Sequence, residues 1–188
     1  MILYVVLGIA IIIGFWLAGT YNFLVAAKNQ MQNAWKQIDV VLKRRHDLIP
    51  NLIETVKGIM KFEQETFTKV IEARNKAVSF QGSVAQKAVQ ENALSGALRQ
   101  LFALVENYPQ LKSNENVSKL QEELSLTENQ ISSARQSYNN IATRFNIAVQ
   151  SFPTNLLAGV FNFKTADLFE IVDEKEKAVP KVDLNLNK

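Results

Sequence analysis

The densest set of polar side chains that could do chemistry lies in one short stretch. Its members are Asp39, Lys43, Arg44, Arg45, His46, Asp47, Asn51 and Glu54, and His46 is the only histidine of the 188 residues. A metal ion would need three or more ligands that converge on one point. Asp39 and Glu54 would lie about 22 Å apart on one helix, so they cannot converge with His46. The stretch therefore predicts a polar stripe on a helix and no metal site.

Other kinds of active site also lack their residues in this sequence. The absence of cysteine excludes a disulfide framework, a thiolate zinc site and a thiol nucleophile. No glycine-rich phosphate loop, catalytic triad or Glu-x-x-His pair can be argued from the sequence. The net charge of +3 arises from both signs spread along the chain, unlike a nucleic-acid footprint. We expect a protein that is not an enzyme, holds no cofactor and binds no nucleic acid. A helical metalloenzyme or hydrolase is the alternative from another class.

A seven-residue apolar repeat runs through the same stretch and places Arg45 on the inward side. Nine of its eleven positions are apolar, and the positions are Leu24, Lys28, Met31, Trp35, Ile38, Leu42, Arg45, Ile49, Leu52, Val56 and Ile59. Such a stripe is typical of a helix packed against partner helices. We expect Arg45 to pair with a carboxylate, and the candidates are Glu54, Glu123 and Glu128. This polar network would set helix register at little net gain in stability.

The elements that position these residues are four helices joined by short turns. The predicted helices cover residues 21–61, 65–80, 84–108 and 115–152. Pro50 predicts a bend in the first helix, because its ring crowds the preceding turn while the apolar stripe continues in phase. Short turns make successive helices antiparallel, so the fold class is all-α, with an antiparallel four-helix bundle over residues 21–152.

The first twenty residues, MILYVVLGIAIIIGFWLAGT, contain no charged side chain. A span needs about 17 to 25 apolar residues, so residues 1–20 predict a transmembrane anchor continuous with the first helix. A cleaved signal peptide is the alternative, but the stretch lacks an early Lys or Arg and a clean cleavage site. Lys28 and Lys36 favour a cytoplasmic domain, and the periplasmic side remains open.

A second apolar stretch follows the fourth helix and should lie at the membrane surface. The first and third helices would lead away from the membrane and the second and fourth would return to it, so Phe152 would lie close to the start of the first helix. The side chains expected there are Phe152, Leu156, Leu157, Val160, Phe161 and Phe163. They could close the core or lie in the membrane interface, and the sequence leaves both open. Residues 153–172 are predicted to be irregular, and residues 173–188 to form an extended or disordered tail.

Several stretches together carry a family resemblance. They are YNFLVAAKNQMQNAWKQIDVVLKRRHDLIPNLIETVKG, EARNKA at 72–77, ALSGALRQLFALVENYPQLKSNENVSKLQEEL at 93–124, TENQISSARQSYNN at 127–140, SFPTNLLAGVFNF and the closing PKVDL. With them the chain resembles the LemA family of bacterial membrane proteins, whose members have an N-terminal span and a helical domain. The resemblance implies no enzymatic activity and no cofactor. It also implies a link to the cell envelope, in some bacteria alongside a membrane-bound metalloprotease, and a relative takes part in building magnetosome membranes.

These observations lead to one functional expectation and one alternative. We expect a single-pass protein of the bacterial inner membrane that contacts the lipid bilayer through residues 1–20 and acts as a helical scaffold or interaction protein. Such a scaffold could assemble as a homo-oligomer. The alternative, implied only by the resemblance, is an adaptor or regulator of a membrane-bound metalloprotease partner in envelope quality control.

Overall fold

The computed structural model describes residues 1–60 and 63–169, and every regular element in these ranges is a helix. The helices are α1 (Ile2–Lys57), α2 (Gln64–Ser79), α3 (Val84–Val105), α4 (Pro109–Lys112), α5 (Glu115–Gln150) and α6 (Thr154–Val160). The all-α prediction is therefore confirmed for the part of the chain that the structure describes. The four predicted helices correspond to α1, α2, α3 and α5.

The first helix, α1, joins the apolar N-terminus and the polar stripe without a break. It has 56 residues and is about 84 Å long. Side chains in its first part are almost all exposed as far as Phe23, and Leu24 is the first that is fully buried. Among the described helices, α1 is the one long and apolar enough to cross a bilayer. The helix continues through Pro50, as the uninterrupted apolar stripe predicts.

The direction of α5 relative to α1 follows from three buried clusters. Leu24 packs with Phe145 in the cluster nearest the apolar N-terminus, Ile38 shares the next with Ile131, and Val56 shares the farthest with Val117. Residue numbers rise along α1 as they fall along α5, so the two helices are antiparallel. The C-terminal end of α5 therefore returns to the level at which α1 leaves its exposed apolar part.

The helices α2 and α3 form a second pair beside the part of α1 that lies farther from its apolar segment. Ser83 and Gln86 define the start of α3 with a capping box, because each side chain accepts a hydrogen bond from the other residue's backbone N–H. The Tyr108 hydroxyl donates to the Glu63 carboxylate at 3.1 Å, which ties the end of α3 to the start of α2. The apolar faces of all four long helices meet in one core, whose members include Leu52, Val56, Val70, Leu98, Leu101 and Leu124.

The region after α5 differs from the irregular segment predicted for residues 153–172. Residues 154–160 form α6, because Pro153 stands just before the first turn, where its missing N–H needs no helical partner. One turn of helix, α4, also begins at Pro109, where the sequence predicted only the end of the third helix. Residues 161–169 contain no regular element and run back along α5. The predicted tail, 173–188, and residues 170–172 lie outside the described residues.

Candidate functional site

Arg45 is the centre of a buried polar network that joins three helices. Its side chain has no exposed surface. Its guanidinium donates to the carboxylate of Glu91 on α3, to the Ser95 hydroxyl at 2.8 Å and to the Glu128 carboxylate on α5 at 2.6 Å. His46 Nε2 lies 3.1 Å from Oε1 of Glu91, so α1 holds that carboxylate with two side chains. One cation thus links α1, α3 and α5 at a single level.

The structure places the three carboxylates expected near Arg45 in three different environments. Glu128 contacts Arg45 directly. Glu123 lies 3.8 Å from Arg44 instead, and both of those side chains are about half exposed. Glu54 is exposed and lies nine residues beyond Arg45 on the same helix, about 14 Å along its axis, and Arg45 contacts Glu91 and Glu128 instead.

Glu91 is the network residue that sequence reasoning missed. It is fully buried, although its neighbour on the chain, Asn92, is only partly buried. The signal that could have found it is the spacing of the buried positions of α3. These positions are Ala88, Glu91, Leu94, Leu98, Leu101 and Val105, separated by steps of three or four residues. An acid in such a stripe indicates a buried cation on a facing helix.

The environment of the network lowers two pKa values, those of Glu91 and Arg135, for different reasons. Burial by itself would raise the pKa of Glu91, but the hydrogen bond from His46 and the charge of Arg45 outweigh it and hold the pKa below its ordinary value of 4.5. Burial, followed by the nearby positive charge of Arg45, lowers the pKa of Arg135 below its ordinary value. Arg135 donates to Asn92 at 3.2 Å and so extends the polar contacts between α3 and α5.

Pro50 creates a second polar contact that the sequence analysis did not foresee. A proline has no N–H, so the carbonyl of His46, four residues earlier, has no helical donor. Nε of Arg74, on α2, donates to that carbonyl at 3.0 Å. Arg74 lies within the EARNKA stretch, whose role was not assigned from sequence. The His46 carbonyl, which Pro50 leaves without a helical donor, therefore binds α2 through Arg74.

The polar stripe does not assemble into a metal site within the described residues. No group of three or more potential His, Cys, Asp or Glu ligands comes together there. Asp39 instead binds Lys87 at 2.9 Å, while His46 faces Glu91 and Glu54 faces solvent. Asp39 and His46 thus both face α3 but have separate partners there, whereas Glu54 has no contact with either of them.

The residues predicted at the membrane end divide into two groups. Leu157 is buried and Phe163 is partly buried, and both lie on the core side, where Phe163 packs against a cluster that contains Leu24 and Phe145. The other four, Phe152, Leu156, Val160 and Phe161, are exposed, with exposed fractions between 52% and 79%. We call these four the α6 apolar face. The ring of Phe161 lies 4.7 Å from that of Tyr21, so this face stands beside the exposed part of α1.

Two asparagines on α5 hold the segment that follows α6. The Asn146 amide donates to the Ala166 carbonyl at 2.9 Å and accepts from the Ala166 N–H at 2.7 Å. Asn139, seven residues earlier, makes the same pair of bonds with Phe169, at 3.0 and 2.8 Å. A spacing of seven places both amides on one side of the helix. Residues 162–169, the strap, are thereby fixed against α5, and the hydroxyl of Tyr138 donates to the Asp167 carbonyl at 2.8 Å.

A groove of about 540 Å³ opens between α3 and α5 next to the Arg45 network. Leu98, Phe102 and Leu124 form its apolar part, and Ser95 and Glu128 connect it to the network. The groove exists because α2 pairs mainly with α3 and α1 pairs mainly with α5. It is a concave surface of mixed polarity on the side of the domain away from the α6 apolar face.

Within the described residues, the fold and these sites define an all-helical protein with one candidate membrane span. Residues 34–184 match the LemA family, so the chain belongs to that family. It is 29% identical to Protein LemA of Metamycoplasma hominis over 89% of this chain and 74% of that protein. It is also 24% identical to Magnetosome protein MamQ 2 of Paramagnetospirillum magneticum and 25% identical to Magnetosome protein MamQ of Magnetospirillum gryphiswaldense. These matches cover 80% and 79% of this chain and 64% of each magnetosome protein.

Proposed function

We propose that this protein is a membrane-anchored scaffold without catalytic activity, which presents a helical bundle to protein partners at the bacterial inner membrane. The continuity of α1 is the observation that carries the proposal, since one helix contains both the apolar segment and a core stripe. Such a helix would hold the folded domain at a fixed height above the bilayer. In this proposal α1, α2, α3 and α5 form one antiparallel four-helix bundle, on the cytoplasmic side favoured by Lys28 and Lys36.

Two further features support a rigid scaffold. The Arg45 network contacts three helices at one level, and a buried ion pair of this kind favours a single helix register. The α6 apolar face lies beside Tyr21 and would give the domain a second contact with the lipid, next to its anchor. An anchor and a second contact together would restrict rotation of the domain on the membrane surface.

Photo-crosslinking in intact cells tests this function. A photoreactive amino acid is placed in the α3–α5 groove at Phe102 and, separately, at two exposed apolar positions, Val40 and Leu126. A scaffold should give a discrete adduct from at least one position. A flexible Gly-Ser linker after Thr20 should remove that adduct, because it uncouples the domain from the span.

The matched control for the linker is a helix-forming insertion of seven residues, which keeps the apolar stripe in phase. It raises the domain by about 10 Å but keeps it rigidly joined to the span, so it should reduce the adduct less than the flexible linker does. Absence of a discrete adduct at all three positions, or an adduct that the flexible linker leaves unchanged, would contradict the rigid scaffold. Mass spectrometry of the adduct distinguishes self-assembly, which gives a second copy of this chain, from the adaptor alternative, which gives a membrane-bound metalloprotease.

A further inference from the structure

Charge is distributed unevenly along the long axis of this protein. Residues 1–38 and 129–166 contain no Asp or Glu, and their charged residues are Lys28, Lys36, Arg135, Arg144 and Lys164. Residues 39–128 contain twelve acids and twelve Lys or Arg residues, so that part is balanced. The antiparallel pairing of α1 with α5 brings the two acid-free segments to the same end of the molecule. Within these two segments the end beside the candidate span carries only cations, with Asp167 following directly after the second segment, although the chain as a whole is only mildly basic.

Three of these cations lie near the end of the exposed apolar part of α1. The exposed apolar side chains of the N-terminal part of α1 end at Phe23, and Lys28 follows about 7.5 Å farther along the axis. Arg144 lies about 9 Å before the end of α5. Lys164 follows Phe163, which packs near Leu24. All three cations are exposed, and the axial distances of Lys28 and Arg144 exceed the headgroup layer, about 5 to 7 Å thick on each side of a bilayer, by less than the length of a Lys or Arg side chain.

The other two cations are placed differently. Arg135 is partly buried, donates to Asn92 and stacks on the ring of Phe169 at 4.2 Å, so it belongs to the contacts between helices. Lys36 is exposed but lies about 20 Å beyond Phe23, more than twice the screening length of about 8 Å at physiological salt. Lys36 is thus a natural control for an effect of the three cations nearer the membrane.

We propose that the α6 apolar face, together with Lys28, Arg144 and Lys164, binds a bilayer surface that carries anionic phospholipid headgroups. The inference rests on the proposed membrane contact of α6 and adds the class of lipid. Leu156 and Val160, four residues apart, lie on one side of α6, and Phe152 and Phe161 flank the two ends of that helix, so all four can enter the interface together. The three cations then contact lipid phosphates. A bilayer supplies apolar and anionic partners together, as this surface requires, whereas a nucleic acid would leave the apolar face in water.

The test uses the full-length chain in vesicles and relies on the lack of native cysteine. An environment-sensitive fluorophore is attached to a Leu156→Cys variant, and spin-labelled lipids quench it if the α6 face enters the interface. We expect quenching in vesicles with about 30% anionic lipid to exceed quenching in purely zwitterionic vesicles. Each Lys or Arg near such a surface raises the affinity for the membrane by about fivefold. The triple variant K28Q/R144Q/K164Q should therefore reduce quenching in anionic vesicles to the zwitterionic level.

Two controls match this design. The same fluorophore on a Leu126→Cys variant reports an exposed leucine of α5 about 36 Å from the membrane end of that helix, and it should not be quenched. Lys36→Gln should leave the quenching at position 156 unchanged. Equal quenching in both kinds of vesicle, unaffected by the triple variant, would overturn the lipid class while leaving the α6 contact intact. Absence of quenching in both would overturn the α6 contact and this inference with it. A concentration-dependent blue shift without lipid quenching would assign the face to a second copy and overturn the inference as well.

Discussion

The Arg45–Glu91 pair offers the sharpest test of how the helices are held together. Both side chains are fully buried, so removal of either one leaves a charge in the core without its main partner. We expect Arg45→Met and Glu91→Leu each to lower the free energy of unfolding by about 3 to 5 kcal/mol. The double variant R45M/E91L removes both charges and leaves Glu128, which is about half exposed and can be hydrated. It should lose only about 0 to 2 kcal/mol, far less than the sum of the single losses.

The assay is urea unfolding of the full chain in mild detergent, followed by tryptophan fluorescence. The two tryptophans are Trp16, in the apolar segment, and Trp35, which packs against Tyr138 at 5.7 Å. A Trp16→Phe background therefore makes Trp35 the reporter of the folded domain. Arg44→Met is the matched control, because Arg44 is exposed and its contact with Glu123 is worth at most about 1 kcal/mol. Additive losses in the double variant, or an Arg45→Met loss no larger than that of Arg44→Met, would refute the buried-pair reasoning.

Three further predictions follow from the hydrogen bonds and pKa shifts. Because the folded-state pKa of Glu91 lies below its ordinary value of 4.5, its contribution to stability is present above about pH 4.5 and is lost as the pH falls through the lower, folded-state pKa. Glu91→Gln should flatten this acid dependence of urea unfolding, and an unchanged slope would count against the shift. Arg74→Met should lower the free energy of unfolding by about 1 to 2 kcal/mol. The loss should be much smaller in a Pro50→Ala background, because the alanine N–H can bond to the His46 carbonyl. Equal losses in both backgrounds would exclude the role of Arg74 in docking α2. Asn146→Ala removes both bonds to Ala166 and should speed hydrogen exchange of the Ala166 amide by about tenfold or more, whereas Asn140→Ala, at an exposed position, should not.

Much of the architecture follows from local pattern in the sequence. The apolar steps of three and four residues specify which side of α1 and α5 is buried, and Arg45 interrupts that stripe at a recognisable position. The uncharged N-terminus is long enough to span a bilayer. Capping residues such as Ser83 mark where a helix begins. These features depend on neighbours within about one or two helical turns, so they can be read without knowing the fold.

Partner choice across helices could not be read in the same way. Two of the candidate carboxylates for Arg45, Glu123 and Glu128, lie on α5, and the choice between them depended on the relative height of α1 and α5, which turn lengths and the remaining core packing decide together. The third, Glu54, lies on α1 itself, so its distance from Arg45 follows from helix spacing alone. Glu91 was missed because helix periodicity was assessed from apolar residues alone, so an acid at a buried position was not counted. The bond from Arg74 to the His46 carbonyl is also invisible in sequence, since it joins residues 28 positions apart.

By itself, the sequence determined the helical class, the apolar N-terminal segment, the buried stripes and the absence of cysteine chemistry. Only the tertiary structure decided that Arg45 faces Glu91 and Glu128, and that Leu157 and Phe163 pack inward while Phe152 and Leu156 remain exposed. It also gathered the two acid-free segments, more than ninety positions apart in the chain, at one end of the molecule. The physical reason is that periodicity defines the face of one helix, whereas contacts and surface charge depend on how several helices are aligned against each other.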